Sequence, residues 1–180
     1  MLPIALEKIW EELETVRADL LKEAEGLSQR QADWRPGDRD WSAGELIHHL
    51  TIAEIATGKL ISKLLKEGGE RGLLRPYPTD VNEFEPLPPQ PPGPAEAPAV
   101  VRPEHGHEIG KLVEEMRATR ARTRQNVERL ATVDPQPLKW QHFQLGELHL
   151  AQWVALQARH DEIHLRQIQE VKASPGFPTP

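Results

Sequence analysis

The sequence predicts an all-α protein: a four-helix bundle with a long proline-rich crossover between the second and third helices. Three observations carry the prediction. Apolar residues recur at three- and four-residue spacing over four separate long stretches. Most of the 17 prolines fall within residues 75–103, where the missing amide donors and fixed φ rule out a helix or a central strand. No stretch alternates with the period of two expected of a strand, and no internal repeat is present. The whole chain, 1–180, is expected to form one domain of this kind, with 75–103 irregular.

The first helix is expected over about 3–25. Leu6, Ile9, Leu13, Val16, Leu20 and Ala24 form its apolar stripe, and Gly26 stops it. "LSQRQADWRPGDRD" reads as a polar loop with a Pro-Gly break. The second helix opens at "WSAGEL". Ser42 and Glu45 have the spacing of a capping box, in which hydroxyl and carboxylate each take an orphan backbone amide. Leu46, His49, Ala53, Ala56, Leu60 and Leu64 share a face, and the helix should end near Gly68-Gly69. In the crossover, Tyr77, Val81, Phe84 and Leu87 could anchor the first half on the bundle, with 88–98 left exposed. The third helix is expected over about 104–131, with Ile109, Leu112, Met116, Val127 and Leu130 inward. "ATVDPQPLKWQHFQLGEL" reads as a second irregular connection. The fourth helix should run from His149 to Ala173, placing Trp153, Leu156, His160, Ile163 or His164, and Val171 on neighbouring spokes.

Composition narrows the chemistry. A formal net charge of −6 without a basic cluster argues against nucleic acid as a partner. No apolar run reaches the ~18 residues of a membrane span, and the N-terminus gains acids where a signal peptide would be apolar, so a cytoplasmic location is expected. Cysteine is absent, which removes disulfides, thiolate nucleophiles and Cys-ligated metals. Any metal must be held by His, Asp or Glu.

Among the eight histidines, His160 and His164 stand one helical turn apart, so their rings emerge from one side. Two buried imidazoles without partners would be costly, and one divalent ion between them resolves that cost. A third ligand is expected from the inward stripe of the second helix. His49 lies on that stripe, whereas His48 is turned ~100° away. Three facing histidines leave coordination positions open, as in catalytic sites. "HDEIH" also approaches H-E-x-x-H, the zinc-protease helix. Here Asp161 holds the place of the catalytic Glu and is too short for its task, and little chain follows for another ligand. Asp161 and Glu162 are read as outer-face charges, with Glu162 and Arg166 an i,i+4 pair. His105, His107 and His142 receive no role.

"WSAGELIHHLTIAE", "LSQRQADWRPGDRDWS" and "LGELHLAQWVALQARHDEIHLRQI" resemble signatures of the DinB-like superfamily: a Trp-Ser helix opening, the loop before it, and a last helix carrying Gln-Trp, His-Asp-x-x-His and Gln-Ile. The resemblance implies a bundle with a metal held by His49, His160 and His164, the metal being nickel or zinc. Members include transferases that use the low-molecular-weight thiols bacillithiol, mycothiol or glutathione, and a thiol-dependent maleylpyruvate isomerase. The chain departs from the pattern at His149, where a small hydroxyl residue is common, and in the length of its crossover.

Three functions are consistent with this. The first is a metal-dependent transferase that activates a low-molecular-weight thiol for attack on an electrophilic small molecule. The second is a hydrolase using the same ion to activate water. The third is a non-catalytic, stress-associated bundle whose metal is closed by a fourth protein ligand, with Glu45, Glu54 or Gln157 as candidates. Pairing into a homodimer is compatible with the architecture, although no exposed seam demands it.

Overall fold

The computed structural model describes residues 1–93 and 96–180. Among them the chain forms five α-helices, one 3₁₀ turn and a two-stranded sheet. The four long helices are α1 (Ile4–Glu25), α3 (Ala43–Glu70), α4 (Ile109–Leu130) and α5 (Leu150–Ala173). α1 packs on α5 and α4, and α3 packs on α4 and α5. Among the described residues no helix is long and apolar enough to cross a membrane.

The ends of α3 and α5 follow from local hydrogen bonding. Ser42 Oγ accepts from Glu45 N, and the Glu45 carboxylate accepts from Ser42 N, the capping box read from the sequence. α5 has the same device in another chemistry. His149 Nδ1 accepts from Gln152 N, and Gln152 Oε1 accepts from His149 N. His149 therefore performs the capping that a hydroxyl residue would.

Three expectations about secondary structure need correction. The loop after α1 contains a short helix, α2 (Gln29–Asp33), capped by Ser28 and Gln31. α4 begins at Ile109 rather than near 104, because Gly106 adopts φ 84°, a left-handed conformation that a helix cannot pass through. The connection before α5 holds a β-hairpin, β1 (Lys139–His142) paired antiparallel with β2 (Gly146–His149). Gly146 opens β2 at φ 81°, and His142 Nδ1 accepts from the amides of Gln144 and Leu145 across the turn.

Between α3 and α4, Pro76 makes an isolated bridge to Val133, and the 3₁₀ turn spans Ala99–Val101. Tyr77, Val81, Phe84 and Leu87 are half-buried, and Tyr77 and Phe84 pack against the core. Gln152 donates to the carbonyls of Glu85 and Pro86, and Arg159 donates to those of Leu87 and Pro88. Exposure over 88–98 is mixed: Pro88, Pro91, Ala97 and Pro98 are half-buried. Residues 94 and 95 of that range lie outside the described residues.

The core is divided. One apolar cluster gathers Leu20, Leu46, Ile47, Leu50, Met116 and Ile168 with their neighbours. A second gathers Leu6, Leu13, Ile61, Val127, Leu150 and Val154 with theirs. Between the clusters every long helix contributes one buried charge: Arg17 from α1, Glu54 from α3, Arg120 from α4 and Asp161 from α5. Asp161 is thus not an outer-face charge; it is 2% exposed. It accepts from Arg17 Nε at 2.9 Å and Nη2 at 3.0 Å and from Arg120 Nη2 at 2.9 Å. Glu54 accepts from Arg17 Nη2 at 2.8 Å and from the Thr123 hydroxyl, and pairs with Arg120. Buried charges persist when each is paired, and every charge of this layer has an ion-pair partner on another helix, although Nε and Nη1 of Arg120 make no hydrogen bond among the described residues. Glu162 does face outward, where it pairs with Arg166.

Candidate metal centre

His49 is presented by the first turns of α3, and His160 and His164 by consecutive turns of α5. The antiparallel packing of the two helices brings the three rings together. His160 Nε2 lies 3.0 Å from His49 Nε2 and 3.0 Å from His164 Nε2. The ring centroids are 4.6–4.9 Å apart. His49 and His164 are buried, and His160 is half-buried.

The outer nitrogens set the tautomers. His49 Nδ1 lies 2.6 Å from the carbonyl of Val101. A carbonyl only accepts, so Nδ1 carries the proton and Nε2 presents a lone pair inward. His164 Nδ1 lies 2.7 Å from Gln167 Oε1 and donates to it, with the same consequence. Two lone pairs thus point at His160 Nε2, where one N–H could satisfy only one of them well. A cation shared by three lone pairs resolves the conflict, and nitrogens at this spacing can all lie ~2.0–2.1 Å from one ion. The donor set fits a borderline divalent metal, and the carbonyl and amide behind it are the outer-shell partners that orient metal-binding imidazoles.

Electrostatics agree. Burial lowers the pKa of His49, and the hydrogen bond to Val101 offsets part of that. Burial, reinforced by His164 and His49, holds His160 well below its ordinary value. Burial and then His49 bring His164 down to about 4. The three imidazoles are therefore neutral at pH 7, the form that binds metal.

His48 does not join them. It is half-buried, its Nδ1 accepts from Glu104 N at 3.0 Å, and its ring lies 4.2 Å from that of His107. Glu45 and Glu54 are also elsewhere. The Glu45 carboxylate holds Arg35 and the Ser42 amide, and Glu54 lies in the charged layer. Among the described residues, no other His, Asp or Glu completes the group.

Sequence reasoning missed several supporting residues. Trp41, just before the Ser42 cap, packs against His49 with centroids 5.0 Å apart and lies 6.4 Å from His164. Val101, at the end of the crossover, holds the His49 tautomer. Asp161, next to His160, ties the histidine-bearing turn of α5 to α1 and α4 through the two arginines. An arginine standing at helical spacing inside an apolar stripe, Leu13–Arg17–Leu20 or Met116–Arg120–Val127, was the available signal for that layer.

A model of the DinB superfamily matches residues 12–168. Among solved structures, the crystal structure described as TT2238, a four-helix bundle protein, aligns with a TM-score of 0.63 at 16% identity, covering 92% of this chain and 99% of that one. At that identity the likeness speaks for the fold. No curated protein matches the chain.

Proposed function

The chain belongs to the DinB superfamily, and from that premise we propose that it is a metal-dependent transferase acting on small molecules, its ion held by His49, His160 and His164. The observation that carries the reading is the pair of Nε2 lone pairs, on His49 and His164, fixed inward by Val101 and Gln167 and aimed at His160. A divalent ion, nickel or zinc, supplies the positive charge that favours the thiolate form of a low-molecular-weight thiol at neutral pH.

The chain has no cysteine, so the sulfur nucleophile arrives with the cosubstrate. The thiol proton leaves to solvent. Sulfur then forms a bond to the electrophilic carbon, whose leaving group departs with its electron pair. The protein's part is to hold the three imidazoles neutral and oriented and to pack Trp41 and the core against them. The proline-rich crossover belongs to this machinery. Its residues 85–88 bind α5 through Gln152 and Arg159, and Val101 binds α3 through His49, so it is tied to both helices that carry the histidines. We place the protein in the cytoplasm as one domain.

The test is turnover of a generic electrophile such as 1-chloro-2,4-dinitrobenzene by metal-loaded protein. Thiol-dependent conjugation that disappears in His160→Ala is expected. Turnover of ester substrates without thiol would establish the hydrolase instead, and inactivity of the loaded protein toward both would favour the non-catalytic bundle.

A further inference from the structure

Away from α3 and α5, which carry the histidines, α1 and α4 border a cleft of ≈ 320 Å³. The two helices run antiparallel. Leu6 and Leu13 of α1 share one apolar cluster with Val127 and Leu130 of α4, and Leu20 and Ala24 share the other with Leu112 and Met116. Ala18 and Ala121 line the cleft from opposite helices, and both are exposed positions. Alanine there, in place of a long polar side chain, leaves the space between the helices open as far as the charged layer. Arg17 and Arg120 reach the cleft from that layer. Trp10 and Leu21 are the first and last α1 residues along it.

Arg120 is incompletely satisfied by the layer. Its side chain is 7% exposed. Nη2 donates to Asp161 at 2.9 Å, and Nε stands 3.0 Å from Glu54 Oε1. In a guanidinium Nε and Nη2 share one edge of the fork, and Nη1 lies on the other side. The Nε–Nη2 edge of Arg120 thus faces the two acids. Nη1 lies away from them, without a hydrogen-bond partner among the described residues. Arg17 differs, because its Nη1 donates to the Met116 carbonyl at 3.5 Å. A buried donor without an acceptor is costly, and Arg120 has the cleft beside it. Arg117 and Arg124 line the same cleft. They pair with Glu25 and Glu128, neither of which lines it, and the Arg124 guanidinium lies 5.0 Å from the centroid of the Trp10 ring. Four arginines and one acid, Glu14, therefore line the cleft, a formal excess of three positive charges in a chain of net charge −6.

We infer that this cleft is a binding site for a small aromatic monocarboxylate, separate from the histidine centre and independent of its chemistry. The planar fork of arginine matches a carboxylate, to which it donates two parallel hydrogen bonds. Trp10, Leu21, the two alanines and the arginine stems offer an apolar wall to a flat body. The volume stands at the lower end of the ~300–1,000 Å³ typical of small-molecule sites, which suits one compact ring system. A phosphate dianion fits less well, since Glu14 opposes its second charge and the apolar wall stays uncovered.

The experiment titrates metal-loaded protein calorimetrically with three probes: 2-naphthoate, 2-naphthalenemethanol as a neutral body of the same shape, and inorganic phosphate. Wild type should bind naphthoate about tenfold or more tighter than the alcohol, the size of one charge-assisted hydrogen bond, and tighter than phosphate. Ala121→Leu fills the cleft from an exposed position, so it should melt like wild type and weaken naphthoate by about tenfold or more. Arg120→Lys keeps the charge but gives up the fork, and should lose the preference for naphthoate over the alcohol. Arg124→Met repeats that test at the rim should the layer not tolerate Lys. Naphthoate affinity unchanged in Ala121→Leu overturns the inference by placing the carboxylate elsewhere, the metal included. Equal affinity for the alcohol or for phosphate overturns the ligand class, and absence of naphthoate binding overturns the site. A wild-type dimer that Ala121→Leu dissociates overturns it by making the cleft a contact between copies of the chain.

Discussion

Replacing Asp161 with Ala removes the carboxylate that accepts three hydrogen bonds from Arg17 and Arg120 in the layer between the two apolar clusters. Both arginines are buried, at 2% and 5% exposure, and Glu54 alone would then face two guanidinium groups. Breaking a buried pair by deleting one partner costs about 3–5 kcal/mol, because the charge left behind stays desolvated. For a chain of this length each kcal/mol moves Tm by roughly 2–4 °C, so the variant should melt about 6–20 °C below wild type. The assay is thermal and urea denaturation of metal-free protein, with Arg17→Met, Asp161→Leu and their combination completing a double-mutant cycle. Substituting the pair together should cost less than the two single changes summed. A loss within about 0.5 kcal/mol for Asp161→Ala, the range of surface substitutions, would refute the reasoning and mean the layer is solvated.

Other predictions concern titration and capping. A histidine in the unfolded chain takes up a proton near 6.5, whereas His164 in the folded protein does so only at about 4. Between those values the unfolded state binds more protons. The stability of metal-free protein should therefore be level above about pH 7 and fall as pH drops from 6.5 toward 4, by up to about 3 kcal/mol from His164 alone. Urea titrations at a series of pH values test this, and a flat profile from pH 7 to pH 5 would sink the buried neutral cluster. His149→Ala should cost about 1 kcal/mol and His149→Ser should recover most of it, since a hydroxyl can serve the same cap. Equal melting of the two variants would mean that the ring contributes through packing on Phe84 rather than through the cap.

How much was legible in the sequence depended on length and phase. The long helices announced themselves through apolar stripes, and Ser42 and Glu45 gave a helix start to the residue. The hairpin was hidden because Lys139, Trp140 and Gln141 are all exposed, so β1 has no inward face to alternate with. α2 has five residues, too few for a helical period to register. Asp161 was misread because the inward face of α5 was taken from Trp153, Leu156, Ile163 and Val171. Of these only Val171 is buried, and the rest of the core stripe is Leu150, Val154, Ala158 and Ile168. That rotation left His160 and His164 facing inward but turned Asp161 outward in error. The histidine cluster survived because His160 and His164 share a side of the helix whatever its absolute phase. On α3, His49 lies in phase with Leu46 and His48 does not.

The central claim is that His49, His160 and His164 hold one divalent ion that the fold does not need in order to form. The most direct measurement is metal stoichiometry by elemental analysis, beside circular dichroism, for protein purified without added metal and for each histidine variant. Wild type and His48→Ala should carry about one ion per chain, and His49→Ala, His160→Ala and His164→Ala should carry essentially none while keeping the helical signal, because two apolar clusters and the charged layer remain. Retention of metal in His160→Ala, or its loss in His48→Ala alone, would contradict the site; collapse of the helices together with metal loss would make the ion structural.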